Sequence, residues 1–361
     1  MMGGTDEVGG RGGVGPASGT AGEGNGRLVL TPRPVAGSID ELVGGADGRQ
    51  AFRSGDGKSG SSFERVVIDG EPHVLKVMHI DDDWIARSLG DLGCLQVTMW
   101  ASGLYDAFPA TIDHAVVGAA RGFGRNGWGA ALLMRDVSAH LVPEGDDQVH
   151  PGQHAAFVDH MAALSAHLWG WTDTVGLLSP TVRWTFFGPA MLACEADRGW
   201  PHEVPVIAER GWRAFAERAP ADVREAVDAL RAEPEVLVAA LAGTPWTLLH
   251  GDWKMGNLGS HPDGRTILLD CAYPGTGPAC HDLGWYLAMN RARLPESKEA
   301  TIERFRSALG AYGVDTAGWW DRQLDLCLLG TVVELGWEKA LGDQDELDWW
   351  LARAREGAGR L

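Results

Sequence analysis

A two-lobed α+β fold, with a small antiparallel sheet leading into a larger and mainly helical part, is what the 361-residue sequence predicts. Three observations carry it. Short β-like runs with turn residues between them fill the front third. From about Gly152 onward, apolar residues recur at helical spacing instead. Within that helical part, only two short strand-like runs interrupt the pattern, and a polar loop follows the first of them.

In order along the chain, Met1 to Arg27 is glycine-rich with no apolar block, so it reads as a disordered tail rather than a signal or transit peptide. Ser38-Ile39-Asp40-Glu41 is a capping box opening a short helix, with Ser38 capping and Glu41 reaching back. Gly55 to Gly60 follows, and then the strands Phe63 to Ile68 and His73 to Met78. Asp69-Gly70 marks their hairpin connection, read as slightly longer than a two-residue loop. Trp84 to Leu104 reads as one helix. Thr111 to Val117 and Trp128 to Met134 read as an antiparallel pair joined by the glycine-rich Gly118 to Gly127. Helices are expected over Gln153 to Trp169, Val204 to Arg218, Ala221 to Ala242, Cys280 to Arg293, Ser297 to Tyr312 and Trp319 to Leu341. The interrupting strands are Trp246 to Leu249 and Thr266 to Leu269. This divides the chain into a tail (1–27), a front lobe (28–137) and a helical lobe (138–361).

Composition narrows the function. A net charge of −18 disfavours contact with phosphate backbones, so no nucleic-acid partner is expected. No apolar run approaches the ~18 residues a membrane span needs. Five scattered cysteines without a Cys-x-x-Cys pair fit a reducing, cytoplasmic setting and no zinc ribbon. His150 and His154 are four apart but lack the glutamate of a zincin helix.

The chemistry is concentrated in His250-Gly251-Asp252-Trp253-Lys254-Met255-Gly256-Asn257 and in Asp270, at the end of the apolar run Ile267-Leu268-Leu269. Phosphoryl transfer needs a carboxylate that holds the attacking hydroxyl and takes its proton. It also needs oxygen ligands for a magnesium ion bridging the phosphates, and an aspartate followed five residues later by asparagine suits both needs. The stretch from Leu248 to Leu287 resembles the signature region of the aminoglycoside phosphotransferase and choline kinase superfamily. There, His-Gly-Asp-x4-Asn precedes a strand with an aspartate, then a Pro/Gly-rich turn (here Pro274 to Pro278) and an Asp-Leu at a helix start (here Asp282-Leu283). The resemblance implies a protein kinase-like bilobal fold and ATP- or GTP-dependent transfer of a γ-phosphoryl group to a small-molecule hydroxyl. It makes Asp252 the catalytic aspartate, Asn257 and Asp270 the Mg²⁺ ligands, and His250 and Asp282 supports of the loop. Lys254 stands where it can neutralise charge on the transferred group, a solvated loop lysine being the alternative.

For the nucleotide, the resemblance points to Lys76 as the phosphate-binding lysine. A lysine in an otherwise apolar strand needs a partner, because burying a lone ammonium is costly. Ser59, Gly60 and Ser61 belong to a segment resembling the phosphate-covering loop. The adenine is expected against the backbone near Met134 and Asp136. One departure stands out: the family pairs its strand lysine with a glutamate, and here Gln96 occupies that position. Asp81, Asp82, Asp83 and Asp91 are possible substitutes. The departure motivates an alternative, a catalytically silent nucleotide-binding module acting through protein contacts, against which the complete set of Asp252, Asn257 and Asp270 argues. A metal hydrolase using His250 and Asp252 ranks last. Candidate acceptor linings are Trp285, Tyr286, Asn290, Asp325, Glu334, Trp337 and Glu338, with Trp337, Trp319 and Trp320 as a candidate cation–π wall for a cationic acceptor, although core packing is the better account of each tryptophan.

Overall fold

The computed structural model describes residues 28–52 and 59–361. The expected tail and the first part of the expected phosphate loop, Gly55 to Lys58, lie outside the described residues. Ser38 caps the helix Ile39–Leu42 by accepting from Glu41 N–H, while the Glu41 carboxylate accepts from Gly37 N–H rather than from the cap residue itself. An antiparallel five-stranded sheet follows, in the order Gly48–Phe52, Ser62–Ile68, Glu71–His79, Gly129–Arg135, Val116–Phe123.

Several boundaries differ from expectation for identifiable reasons. Ile68 pairs with Glu71, so the hairpin connection is the two-residue Asp69-Gly70 after all. Both residues have positive φ (53° and 80°), the conformation that matches the twist of the flanking strands. The helix expected over Trp84 to Leu104 is two helices, Trp84–Leu89 and Leu95–Ser102, divided where Gly90 ends the first in a left-handed conformation. The strand expected over Thr111 to Val117 is instead Val116–Phe123, and the short piece Ile112–Asp113 pairs in parallel with Thr266–Leu268. Ala221 to Ala242 is interrupted at Pro234, giving Ala221–Ala232 and Glu235–Leu241. Helices Pro189–Asp197 and Gln344–Ala358 were not expected.

The helical part is organised around Trp320–Leu341, which packs against Glu203–Arg218, Cys280–Met289 and Gln344–Ala358. It is buried over most of its length, and accordingly apolar on nearly every face. The α+β, two-part architecture is thus the one expected. Among the side-chain contacts that join its parts, Trp84 stacks on Phe186 with ring centroids 5.7 Å apart, and Arg87 makes a buried bidentate ion pair with Glu195. No described helix is long and apolar enough to cross a membrane.

His154 is a buried structural residue of helix Pro151–His167 rather than half of a metal pair. Its Nε2 donates to Glu296 at 2.9 Å, and its Nδ1 accepts from the Tyr286 hydroxyl at 2.9 Å. Burial lowers its pKa, and the neutral ring satisfies both bonds. The Arg304 guanidinium chiefly holds the Glu296 carboxyl down at about 2, against an ordinary 4.5. A depressed carboxyl stabilises the fold above its unfolded-state value and ceases to do so as pH falls through its folded-state value. Glu296→Gln is therefore expected to flatten the decline in melting temperature between about pH 4.5 and about pH 2. Parallel thermal melts of both proteins check this.

Candidate active site

The polar segment is suspended between two small sheets. Strand Trp246–Leu249, paired with Gly275–Pro278, leads into it, and strands Leu258–Ser260 and Thr266–Leu268 carry the chain away and back to Asp270. Asp282, in the first turn of helix Cys280–Met289, fixes the loop entrance. Its two carboxylate oxygens accept from the backbone N–H groups of His250 and Gly251, each at 2.9 Å. Burial pushes the Asp282 carboxyl up, but the His281 hydrogen bond and nearby positive charge outweigh it, so it lies below the ordinary value. Gly251 must be glycine: φ is +82°, and a Cβ there would stand 2.4 Å from the Tyr273 carbonyl oxygen. His250 Nε2 donates to the Leu269 carbonyl, while Nδ1 accepts from Asp252 N–H. Burial lowers the His250 pKa, so the ring is a neutral strut joining the loop to the strand end before Asp270.

At the loop's centre Asp252 is buried. Asn257 Nδ2 donates to its Oδ2 at 2.8 Å and to its carbonyl at 2.9 Å, and Lys254 Nζ lies 2.9 Å from the same Oδ2. The Trp285 indole N–H donates to Oδ1 at 2.8 Å. With Nδ2 of Asn257 so engaged, no donor among the described residues takes its Oδ1. Asp270 has φ +59°, a conformation non-glycine residues rarely hold and one found preferentially at functional sites. Its Oδ1 accepts from Lys76 Nζ at 2.7 Å and Gln96 Nε2 at 2.9 Å, which leaves Oδ2 without a donor among the described residues. Burial opposes the charge on both Lys76 and Asp270, yet their mutual attraction raises the lysine pKa and lowers that of the aspartate. Gln96 therefore reaches the carboxylate rather than the lysine, and Asp270 is the countercharge of Lys76. Asp83, also close enough to stabilise the lysine charge, caps helix Trp84–Leu89 and accepts from the Ser61 hydroxyl at 2.9 Å. Asn257 Oδ1 and Asp270 Oδ2 are hard oxygen donors of the kind magnesium takes beside phosphates. Among the described residues, no cluster of three or more His, Cys, Asp or Glu could hold a metal without such help.

A cleft of about 730 Å³ opens over this centre, its lining including Ser59, Lys76, Asp252, Lys254 and Asp270 together with Phe187, Trp337 and Glu338. Of the sequence-derived acceptor residues, Trp285, Asn290, Trp337 and Glu338 line it. The others do not. Tyr286 is bonded to His154, Asp325 to Arg360, and Glu334 lies 3.3 Å from His281 behind the loop. Trp319 and Trp320 pack on Trp169 and Phe305, so they form no cation–π wall here. Asn290 also holds the loop from below, accepting from Met255 N–H at 2.8 Å. Met134 and Asp136 stand apart from the cleft lining. Met134 is flanked by two paired strands, and Asp136 donates its N–H to Pro72 and accepts from Ser138 N–H. Sequence reasoning missed the contact between Trp285 and Asp252, and it missed the buried Arg183 beside Gly251. No local pattern distinguishes such residues from core packing.

The sequence profile of the phosphotransferase enzyme family, APH, matches residues 58–319, well over half of the chain. The chain belongs to this phosphotransferase family. No curated protein matches it. Among solved structures it is similar to the choline kinase LicA from Streptococcus pneumoniae (12% identity over 88% of this chain and 94% of that one, TM-score 0.49). It is also similar to a microcompartment-associated aminopropanol kinase (14% identity, 87% and 90%, TM-score 0.46) and to a thermostable mutant of aminoglycoside phosphotransferase APH(4)-Ia (13% identity, 87% and 94%, TM-score 0.44).

Proposed function

We propose that the chain transfers the γ-phosphoryl group of ATP or GTP to a hydroxyl of a small molecule bound in the cleft. The observation that carries this reading is that Asp252, Asp270 and Lys76 line one crevice, with Asn257 bonded to the Asp252 carboxylate. Asp252 receives the acceptor hydroxyl and takes its proton as the O–P bond forms. Lys76 binds the donor's phosphates, and Ser59, Gly60 and Ser61 cover them. Asn257 and Asp270 would hold Mg²⁺, which when bound would offset negative charge on the phosphates. Lys254, beside Asp252, faces the developing charge of the transferred group. The base would lie against the backbone near Met134 and Asp136 without taking the Asp136 N–H, which is bonded to the Pro72 carbonyl.

The acceptor class is read from the cleft wall. Aromatic rings line the cleft near Asp252, and the wall carboxylate Glu338 sits 2.6 Å from Lys339 Nζ. A hydroxylated acceptor with an apolar face suits that wall, and a cationic acceptor would draw on the rim carboxylates Glu144 and Asp146. The test is a panel of choline, amino sugars, neutral sugars and hydroxylated macrocycles with Mg-ATP and Mg-GTP, followed by ³¹P NMR. A new phosphate monoester with one nucleoside diphosphate per ester is expected. Nucleotide binding with no ester from any alcohol would instead favour the silent module.

A further inference from the structure

Asp252 has two carboxylate oxygens, and together they offer about four lone-pair positions to donors. Two of these, on Oδ2, are taken by Asn257 Nδ2 at 2.8 Å and Lys254 Nζ at 2.9 Å. One on Oδ1 is taken by Trp285 Nε1 at 2.8 Å. Only the remaining position on Oδ1 is left for an acceptor hydroxyl. The oxygen that Trp285 grips is thus the oxygen that must meet the substrate.

The indole is itself held rigidly. Trp285 is buried, with Phe186 and Tyr273 rings at 6.3 and 6.1 Å and the His281 ring stacked at 6.3 Å. It lies in helix Cys280–Met289, one turn after Asp282, so the helix that anchors the loop's backbone also fixes the orientation of its carboxylate. An indole N–H is donor only, so this contact cannot invert as a hydroxyl contact could.

Resting on the phosphotransfer reading above, we infer that Trp285 is a positioning residue that dedicates Asp252 Oδ1 to the attacking hydroxyl. Without the N–H, the carboxylate can rotate about its χ2, and Oδ1 gains a second open position at which a hydroxyl sits out of line. Rate would fall while nucleotide affinity stayed.

The test replaces Trp285 with phenylalanine and, separately, with benzothienylalanine, which keeps the ring shape and removes only the N–H. Nucleoside diphosphate release from Mg-ATP with water as acceptor, and with any alcohol phosphorylated by the wild type, gives kcat and KM. Calorimetry gives the Mg-ATP Kd. Expected is a kcat lower by roughly 10- to 100-fold with Kd within about twofold. Trp320→Phe, a buried tryptophan remote from the cleft, serves as the packing control and is expected to keep wild-type kcat. Wild-type kcat in the benzothienylalanine protein overturns the inference, as does an equal loss in Trp320→Phe. Should the wild type release no diphosphate, the phosphotransfer reading fails, and the contact is judged alone from indole ¹H–¹⁵N spectra. One indole resonance must then move upfield in Asp252→Ala, and sixteen unmoved resonances overturn the contact itself.

Discussion

Asp252→Ala is expected to lower phosphoryl transfer by about 10²- to 10⁴-fold, the range of a positioned general base, while the Mg-nucleotide Kd changes little. The asymmetry follows from who touches what. The substitution removes the one carboxylate placed to hold an acceptor hydroxyl, yet leaves Lys76, Asn257 Oδ1 and Asp270 as they are. A second consequence runs against the variant's stability. Trp285 Nε1 and Asn257 Nδ2 lose an acceptor in a buried setting, at about 1–3 kcal/mol for each donor left unsatisfied. Rates must therefore be compared at a temperature where both proteins are folded, which far-UV circular dichroism establishes. Transfer at the wild-type rate by a folded Asp252→Ala protein would remove Asp252 from the chemistry altogether.

A larger effect on the fold is expected from Asp282→Ala. Among the described residues, its carboxylate is the sole acceptor for the N–H groups of His250 and Gly251, both buried. Truncation leaves two orphaned backbone donors and removes one of the two carboxylates beside His281, whose pKa is raised although burial opposes it, chiefly because Glu334 lies alongside. A loss of about 3 kcal/mol or more follows from the two donors alone, together with loss of transfer, because the loop entrance is then free to shift. Asp282→Asn tests the mechanism further. Its amide offers one acceptor and presents N–H hydrogens where the second is needed, so it should recover at most part of the loss in denaturant melts. Wild-type stability in Asp282→Ala would mean that the two N–H groups find other acceptors.

The division into a sheet and a helical part was legible because periodicity is a property of long segments, and long amphipathic helices such as Glu203–Arg218 state it plainly. Strand Val116–Phe123 was not. Its Gly118, Ala119 and Ala120 look like linker residues, but they are small because the sheet packs closely there: a Cβ on Gly118 would stand 2.8 Å from Leu42 Cδ1. Strand Gly48–Phe52 is polar and exposed because it forms the sheet edge, so it lacks the alternation of a half-buried strand. In the site, Asp252, Asn257 and Asp270 were singled out by their spacing together with the family resemblance it carries. The partners of Lys76 and Gln96 were not, because Asp270 is 194 and 174 residues away from them in sequence. A tryptophan that donates to a carboxylate also reads, in sequence, the same as one that fills a core.

The Trp84–Phe186 stack and the Arg87–Glu195 pair have a thermodynamic corollary. Severing the chain at the linker would bare an indole on one fragment and strand an unmatched carboxylate inside the other, since Glu195 is 1% exposed. Neither fragment has the means to cover that damage. Heat should therefore melt the sheet and the helices in one calorimetric step, so that the crevice between them persists until the whole molecule gives way.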